Sequence, residues 1–258
     1  MTSPPPGQVL EAFGSPARPV LLDGGQATTW RAGDLVIKPV EDSGEHDWMC
    51  DVYSSWPRCR VRVPQPVRAA TGDWSAHGWG AHVYLAGETA RVLDDPRWFR
   101  QAADDYHDVL AEIPAPAFLS RRNDVWSTAD RLLAEGRQLP DRIAGFVDRC
   151  LAAHQPEDEA RQLVHGDLSG NVLRNGGSPA VIDWPAYVWP RAWALAVVLV
   201  DALCWEDADR ELLDAWPDVS GGALRRALAW RVVTRGLREP DPDLSRERAT
   251  LLLVERRR

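Results

Sequence analysis

An α+β fold is predicted, with a small antiparallel sheet leading into a longer, mainly helical region. Three observations carry it. Short apolar runs with turn residues between them form a hairpin pattern in the first forty residues. From about residue 97 the apolar spacing turns helical. Between helical stretches, strand-like runs return in residues 163–187 around a cluster of His, Asp and Asn. At 258 residues the chain can bury one large core or two intimate lobes. Hydrophobic residues at 45% and charged residues at 26% describe an ordinary folded protein. The net charge of -8 argues against a general nucleic-acid binder, which would present a basic face.

The Pro-rich lead shows no basic region followed by an apolar core, so no secretory signal is expected. The longest apolar run, 192–205, is broken by Asp201 and suits a buried helix, not a membrane span. A cytoplasmic protein without membrane or nucleic-acid partners follows as the expectation. Cys50, Cys59, Cys150 and Cys204 lack C-x-x-C spacing and read as reduced thiols. The 13 tryptophans are scattered and read as packing residues.

In chain order, Val20-Leu21-Leu22 precedes the glycine-rich turn Asp23-Gly24-Gly25-Gln26. Residues 27–31, a tight turn at Ala32-Gly33-Asp34 and a strand over 35–40 complete a hairpin. Alternation puts Val36, Lys38 and Val40 on one face and Leu35 and Ile37 on the other. Lys38 is the only lysine; every other basic residue among the 30 is arginine. A compact ammonium inside an apolar strand points to phosphate contact, where Arg and Lys do not interchange; the plainer reading is a solvated strand face.

Ser43 can cap a helix running to about Trp56 that turns Glu45, Trp48/Met49, Val52 and Trp56 to its buried side. Glu45 then either meets a cationic partner there or favours the helix dipole from the first turn. Further strands are expected at 61–63 and 79–85, a break at Ala86-Gly87-Glu88, and helices over 97–113, 124–135, 140–153 and beyond 187. The cluster Glu206, Asp207, Asp209, Glu211 reads first as a solvated helix face.

The segment Leu163-Val164-His165-Gly166-Asp167-Leu168-Ser169-Gly170-Asn171-Val172-Leu173 is the most specific in the chain. An apolar strand leads into His and Asp, a glycine-containing turn presents Asn, and a second apolar strand leaves. Ala180-Val181-Ile182-Asp183 then ends another strand in a carboxylate. Two carboxylates and an amide oxygen are hard ligands suited to Mg²⁺, and a free carboxylate beside them can serve as base for a hydroxyl.

His165-Gly166-Asp167-Leu168, Asn171 and Ile182-Asp183, in this order after a strand lysine and a helix glutamate, resemble the aminoglycoside phosphotransferase and choline kinase-like family, distant relatives of protein kinases. Within it the chain looks closest to an actinobacterial branch. The resemblance implies a two-lobed protein kinase-like fold, with residues 1–85 as a nucleotide-binding lobe of sheet plus one helix and 86–258 as a mainly helical lobe. It implies ATP or GTP and Mg²⁺ as cofactors and transfer of the γ-phosphoryl to a small-molecule hydroxyl. Asp167 would be the base and His165 a structural anchor of its loop. Asn171 and Asp183 would hold the metal. Lys38 would contact phosphates and pair with Glu45, Gly24 and Gly25 would cover the nucleotide, and backbone groups near Val83 and Leu85 would receive adenine.

Kinase-type loops place four residues between Asp and Asn; here there are three, Leu168, Ser169 and Gly170. Either Gly170 tightens the turn, or Ser169 joins the metal shell, or the protein is a catalytically silent nucleotide-binding scaffold. Transfer of AMP from the same site is a third reading. Trp184-Pro185 follows Asp183 where protein kinases have Phe-Gly, which speaks against a mobile activation switch. Asp201, Glu206, Asp207 and Arg231 are candidates for the acceptor side by region; an acidic wall there would suit an amine-bearing acceptor or amino sugar.

Overall fold

A computed structural model describes residues 3–22, 27–152 and 160–257. The chain divides into two compact units, residues 1–88 with 173–182, and residues 89–172 with 183–258. Gly24 and Gly25 lie outside the described residues.

The first unit contains α1 (Gly7–Ala12), β1 (Val20–Leu21), β2 (Trp30–Ala32), β3 (Leu35–Pro39), α2 (Ser43–Ser54), β4 (Pro66–Val67), β5 (Ser75–Ala76) and β6 (Trp79–Val83). Its sheet runs β1-β2-β3-β6-β4, with β5 also on β6, and these pairs are antiparallel. Ala32 pairs with Leu35 across a two-residue turn in which Gly33 has φ +63°, a conformation that glycine adopts freely. The alternation of β3 is observed: Ile37 is fully buried and Leu35 packs in the same cluster, with Val9, Phe13, Ala32, Ala69 and Ala81.

Two of those core residues, Val9 and Phe13, come from α1 and the residue after it. That helix was not expected, because six residues make under two turns and show no helical period.

The opposite face of the sheet carries α2. Gly80 pairs directly with Lys38, and a Cβ on Gly80 would stand 2.2 Å from the His46 ring. Gly80 is therefore the opening through which α2 approaches the sheet on the Lys38 side. His46 Nε2 donates to the Trp74 carbonyl at 3.1 Å and lies 3.5 Å from Cys50 Sγ. Burial pushes the Cys50 thiol up to about 12.

Four details differ from expectation. The N-cap of α2 is Asp42, whose Oδ1 accepts the Glu45 N–H at 2.9 Å, with Ser43 already the first helical residue. The buried residues of α2 are Cys50 and Tyr53, while Glu45, Trp48, Met49, Val52 and Trp56 are all partly exposed. Residues 61–63 form no regular strand: Arg62 makes one bridge with Ala180, and Pro64 and Pro66 withhold the N–H groups a longer ladder needs. The strand expected over 79–85 closes at Val83.

β7 (Glu88–Thr89) marks the passage into the second unit. There, α3 (Pro96–Ala111), α4 (Val125–Ala134) and α5 (Asp141–Leu151) match the expected helices within two residues. β8 (Arg161–His165) follows; the hairpin β9 (Val172–Asn175) and β10 (Ser178–Val181) belongs, from residue 173 on, to the first unit, and β11 (Ala186–Pro190) is back in the second. α6 (Arg191–Trp205) is buried over nearly its whole length, as its apolar run requires. α7 (Arg210–Ala215), α8 (Gly221–Arg238) and α9 (Ser245–Val254) complete the chain, and α8 packs against α4, α5, α6 and α9. Among the described residues no helix is long and apolar enough to cross a membrane. The four cysteines are free thiols, with only Cys59 exposed.

The cap assignment can be tested by urea unfolding. Asp42→Ala should cost about 1 kcal/mol of stability, the usual worth of an N-cap side chain, whereas Ser43→Ala should change it by less than about 0.5 kcal/mol, as at an ordinary surface position.

Candidate active site

The site is built on a two-stranded ladder. β8 and β11 pair antiparallel from Arg161↔Pro190 to His165↔Ala186. Asp167 stands two residues beyond one strand and Asp183 three residues before the other, so both carboxylates emerge from the same end of the ladder. β11 runs to Pro190, where helix was expected beyond residue 187; its alternation is masked by proline at both ends of the stretch 185–190.

Gly166 lets the ladder close. A Cβ there would lie 2.4 Å from Tyr187 Cδ2, and the Gly166 N–H donates to the Pro185 carbonyl at 3.0 Å. His165 is fully buried. Its Nδ1 accepts the Asp167 N–H at 3.1 Å, while its own N–H donates to His107 Nε2 at 3.2 Å. His107 is also fully buried, and burial, with Arg191, His165 and Arg100 nearby, holds its pKa well below the ordinary imidazole value. As acceptor at Nε2 it is the neutral Nδ1–H tautomer. Tyr106 meets the His165 and Trp184 rings edge-on at 5.9 and 6.2 Å. No sequence signal marks His107, since its importance arises only from β8 packing against α3.

Asp167 is held at three points. Its N–H goes to His165, its carbonyl accepts from Asn171 Nδ2 at 2.7 Å, and its Oδ1 accepts from Arg231 Nη2 at 2.7 Å. Its side chain is nevertheless 44% exposed. The three-residue spacing to Asn171 is closed by a turn: the Asn171 N–H donates to the Leu168 carbonyl at 2.9 Å, and Gly170 sits at φ +79°, a position strained for any residue with a Cβ. With Nδ2 committed to the loop, Asn171 keeps Oδ1 as its remaining ligand atom. Ser169 Oγ is buried without a hydrogen-bond partner among the described residues.

Asp183 has φ +52°, an uncommon conformation for a non-glycine residue that the surrounding structure must over-determine. The next residues do so: Trp184 is buried with Nε1 donating to the Val164 carbonyl at 3.0 Å, and Pro185 accepts from Gly166. A carboxylate and a carboxamide oxygen fit Mg²⁺, which takes one or two protein ligands and completes its shell with phosphate and water. Asp183 and Asn171 are the residues that would hold it.

Of the acceptor-side candidates, Arg231 and Asp201 meet each other. Arg231 Nε donates to Asp201 Oδ1 at 2.8 Å and its Nη2 to Asp201 Oδ2, and both side chains are about nine-tenths buried. Burial pushes the Asp201 carboxyl up to about 6, against the pull of Arg231 and with a further push from Asp167 and Glu206. Glu206 pairs with Arg91 at 3.2 Å. The expected acidic wall therefore carries two carboxylates already matched by arginines, with Asp207 exposed beside them.

In the first unit, Lys38 is half-buried on the α2 side of the sheet and Glu45 half-buried in the first turn of α2. The Val83 N–H is taken by the Gln65 carbonyl at 2.8 Å and the Tyr84 N–H by the Asp34 carbonyl at 2.7 Å. Val83 ends β6 and Leu85 lies just past the sheet.

Because the folded Asp201 takes up its proton near pH 6 and an unfolded one nearer 3.8, lowering pH through that window favours the folded state through this group. Wild type should accordingly gain stability relative to Asp201→Asn between about pH 7 and pH 4, measured by thermal unfolding at each pH.

Comparison with solved structures places this architecture. An aminoglycoside phosphotransferase from Alicyclobacillus acidocaldarius is similar with TM-score 0.61 at 14% identity, covering 99% of this chain and 97% of that one. A choline/ethanolamine kinase family protein from Mesorhizobium loti gives 0.56 at 19% identity, over 94% and 88% of the two chains. A spectinomycin phosphotransferase crystallised with ADP and spectinomycin gives 0.56 at 12%, over 96% and 92%. At these identities the likeness shows the fold, a two-lobed α+β kinase-like one. No curated protein matches the sequence. Residues 27–231 match the model of the phosphotransferase enzyme family, and the chain belongs to that family.

Proposed function

We propose that the protein is a small-molecule kinase that moves the γ-phosphoryl of ATP or GTP to a hydroxyl of its acceptor, with Asp167 as the base. The observation that carries this is the state of Asp167, immobilised through its N–H, carbonyl and Oδ1 while nearly half of its side chain remains open. A carboxylate fixed in this way can orient an acceptor hydroxyl and take its proton late in transfer, when phosphoryl transfer needs positioning above all. Mg²⁺ bound to Asn171 and Asp183 would neutralise phosphate charge, and Lys38 would supply a further positive charge to the nucleotide phosphates.

The shortened Asp167–Asn171 spacing was the ground for a silent scaffold, and the turn at Gly170 supports an intact loop instead. Similar phosphotransferases are described with ADP bound and with GDP bound, so ATP and GTP both stay in the reading. The pairing of Asp201 with Arg231 and of Glu206 with Arg91 withdraws the support for an amine-bearing acceptor, so neutral and anionic hydroxyl compounds belong in a screen beside amino sugars.

Calorimetric titration with ATP and GTP, with and without Mg²⁺, tests the nucleotide half: Asp183→Asn should weaken Mg-ATP binding and leave metal-free binding nearly unchanged. Binding of neither nucleotide by wild type would sink the reading. Asp167→Asn should bind Mg-ATP like wild type yet lower ADP release roughly 10²–10⁴-fold, the usual worth of a general base. Pyrophosphate in place of ADP would move the assignment to AMP transfer.

A further inference from the structure

Arg231 joins the carboxylate of the base to α6 and α8. It extends from α8, stacks its guanidinium over the Trp230 ring at 4.8 Å, grips both oxygens of Asp201 on α6, and donates to Asp167 Oδ1. The planar fork of arginine makes this three-way geometry feasible, where a lysine ammonium could not face both oxygens of one carboxylate and a second carboxylate at once. Asp201 is the counter-charge that lets a guanidinium sit nine-tenths buried, since an unpaired charge there would be expelled.

Asp167 Oδ2, by contrast, makes no hydrogen bond among the described residues. We infer that Arg231 is a positioning residue for the transfer reaction, clamping Asp167 Oδ1 so that Oδ2 is the single oxygen presented to the acceptor hydroxyl. The inference rests on the phosphotransferase reading above. Asp201 enters it as the anchor of Arg231. Two carboxylates sharing one guanidinium also leave the cluster of Asp167, Arg231 and Asp201 with net charge -1, close to what Asp167 alone would bring. The device therefore fixes geometry while conserving the negative charge that a base needs.

The test uses the full chain with Mg-ATP, water serving as acceptor, and follows both nucleotide affinity and ADP release. Arg231→Met alone would strand the buried Asp201 carboxylate, so it is paired with Asp201→Asn, and Arg231→Lys is made separately. Expected for the double variant is Mg-ATP affinity within about twofold of wild type and ADP release lowered roughly 10–100-fold, the scale of losing orientation at a reacting centre. Arg231→Lys should recover part of the rate, because it keeps the charge and loses the fork. ADP release at the wild-type rate from the double variant, with Asp167→Asn inactive, would overturn the positioning role and leave the kinase reading standing. Equal loss of nucleotide affinity and rate in both Arg231 variants would also overturn it, marking a purely structural pair. A wild type that binds no nucleotide, or binds it and releases no ADP, would instead overturn the kinase reading and this inference with it.

Discussion

Everything in the candidate site hangs from the pairing of His165 with Ala186, the last rung of the β8–β11 ladder. An antiparallel rung brings two chain directions to one place, so Asp167 and Asp183 leave from the same edge although fifteen residues intervene in the sequence. The rung can form only because Gly166 has no side chain to strike Tyr187 and because His165 is neutral and buried against His107. A substituent at the first or a charge at the second would part the strands, and with them the two carboxylates.

The second unit also buries several charged groups, and it pairs them across helices. Arg226 reaches Asp130, which also accepts from Trp189 Nε1 at 3.0 Å, and Arg235 pairs with the fully buried Glu247. Desolvation penalises every such charge, and only a well-placed partner offsets it. These pairs thus contribute little net stability for the area they occupy. They do specify which helix lies beside which, since an alternative packing would strand a charge. The arrangement of α6 and α8 that aims Arg231 at the base belongs to this set.

What was legible in the sequence was whatever is local. The sides of β3 followed from alternation, α3 to α5 from helical spacing, and α6 from an apolar run too long for one face. The signature around Asp167 carried its own turn chemistry in Gly170. Long-range relations were not legible. Arg231 and Asp201 could be named by region alone; that Arg231 grips Asp167, 64 residues away, and Asp201, 30 away, has no local signal in an α8 rich in arginines. His107 looks like any helix residue until β8 is laid against α3. Asp42 and Ser43 are both good caps side by side, and only the backbone conformation at Asp42 decides between them.

Lys38 has one more consequence. It bears the only side-chain amine in the whole sequence, and it is half-buried on the sheet face covered by α2. Reagents that acylate amines therefore meet a single side-chain target, at the position where a nucleotide phosphate is expected. The protein carries a built-in, stoichiometric label there: the mass of the modified chain would count occupied and unoccupied molecules directly, without a substrate being known.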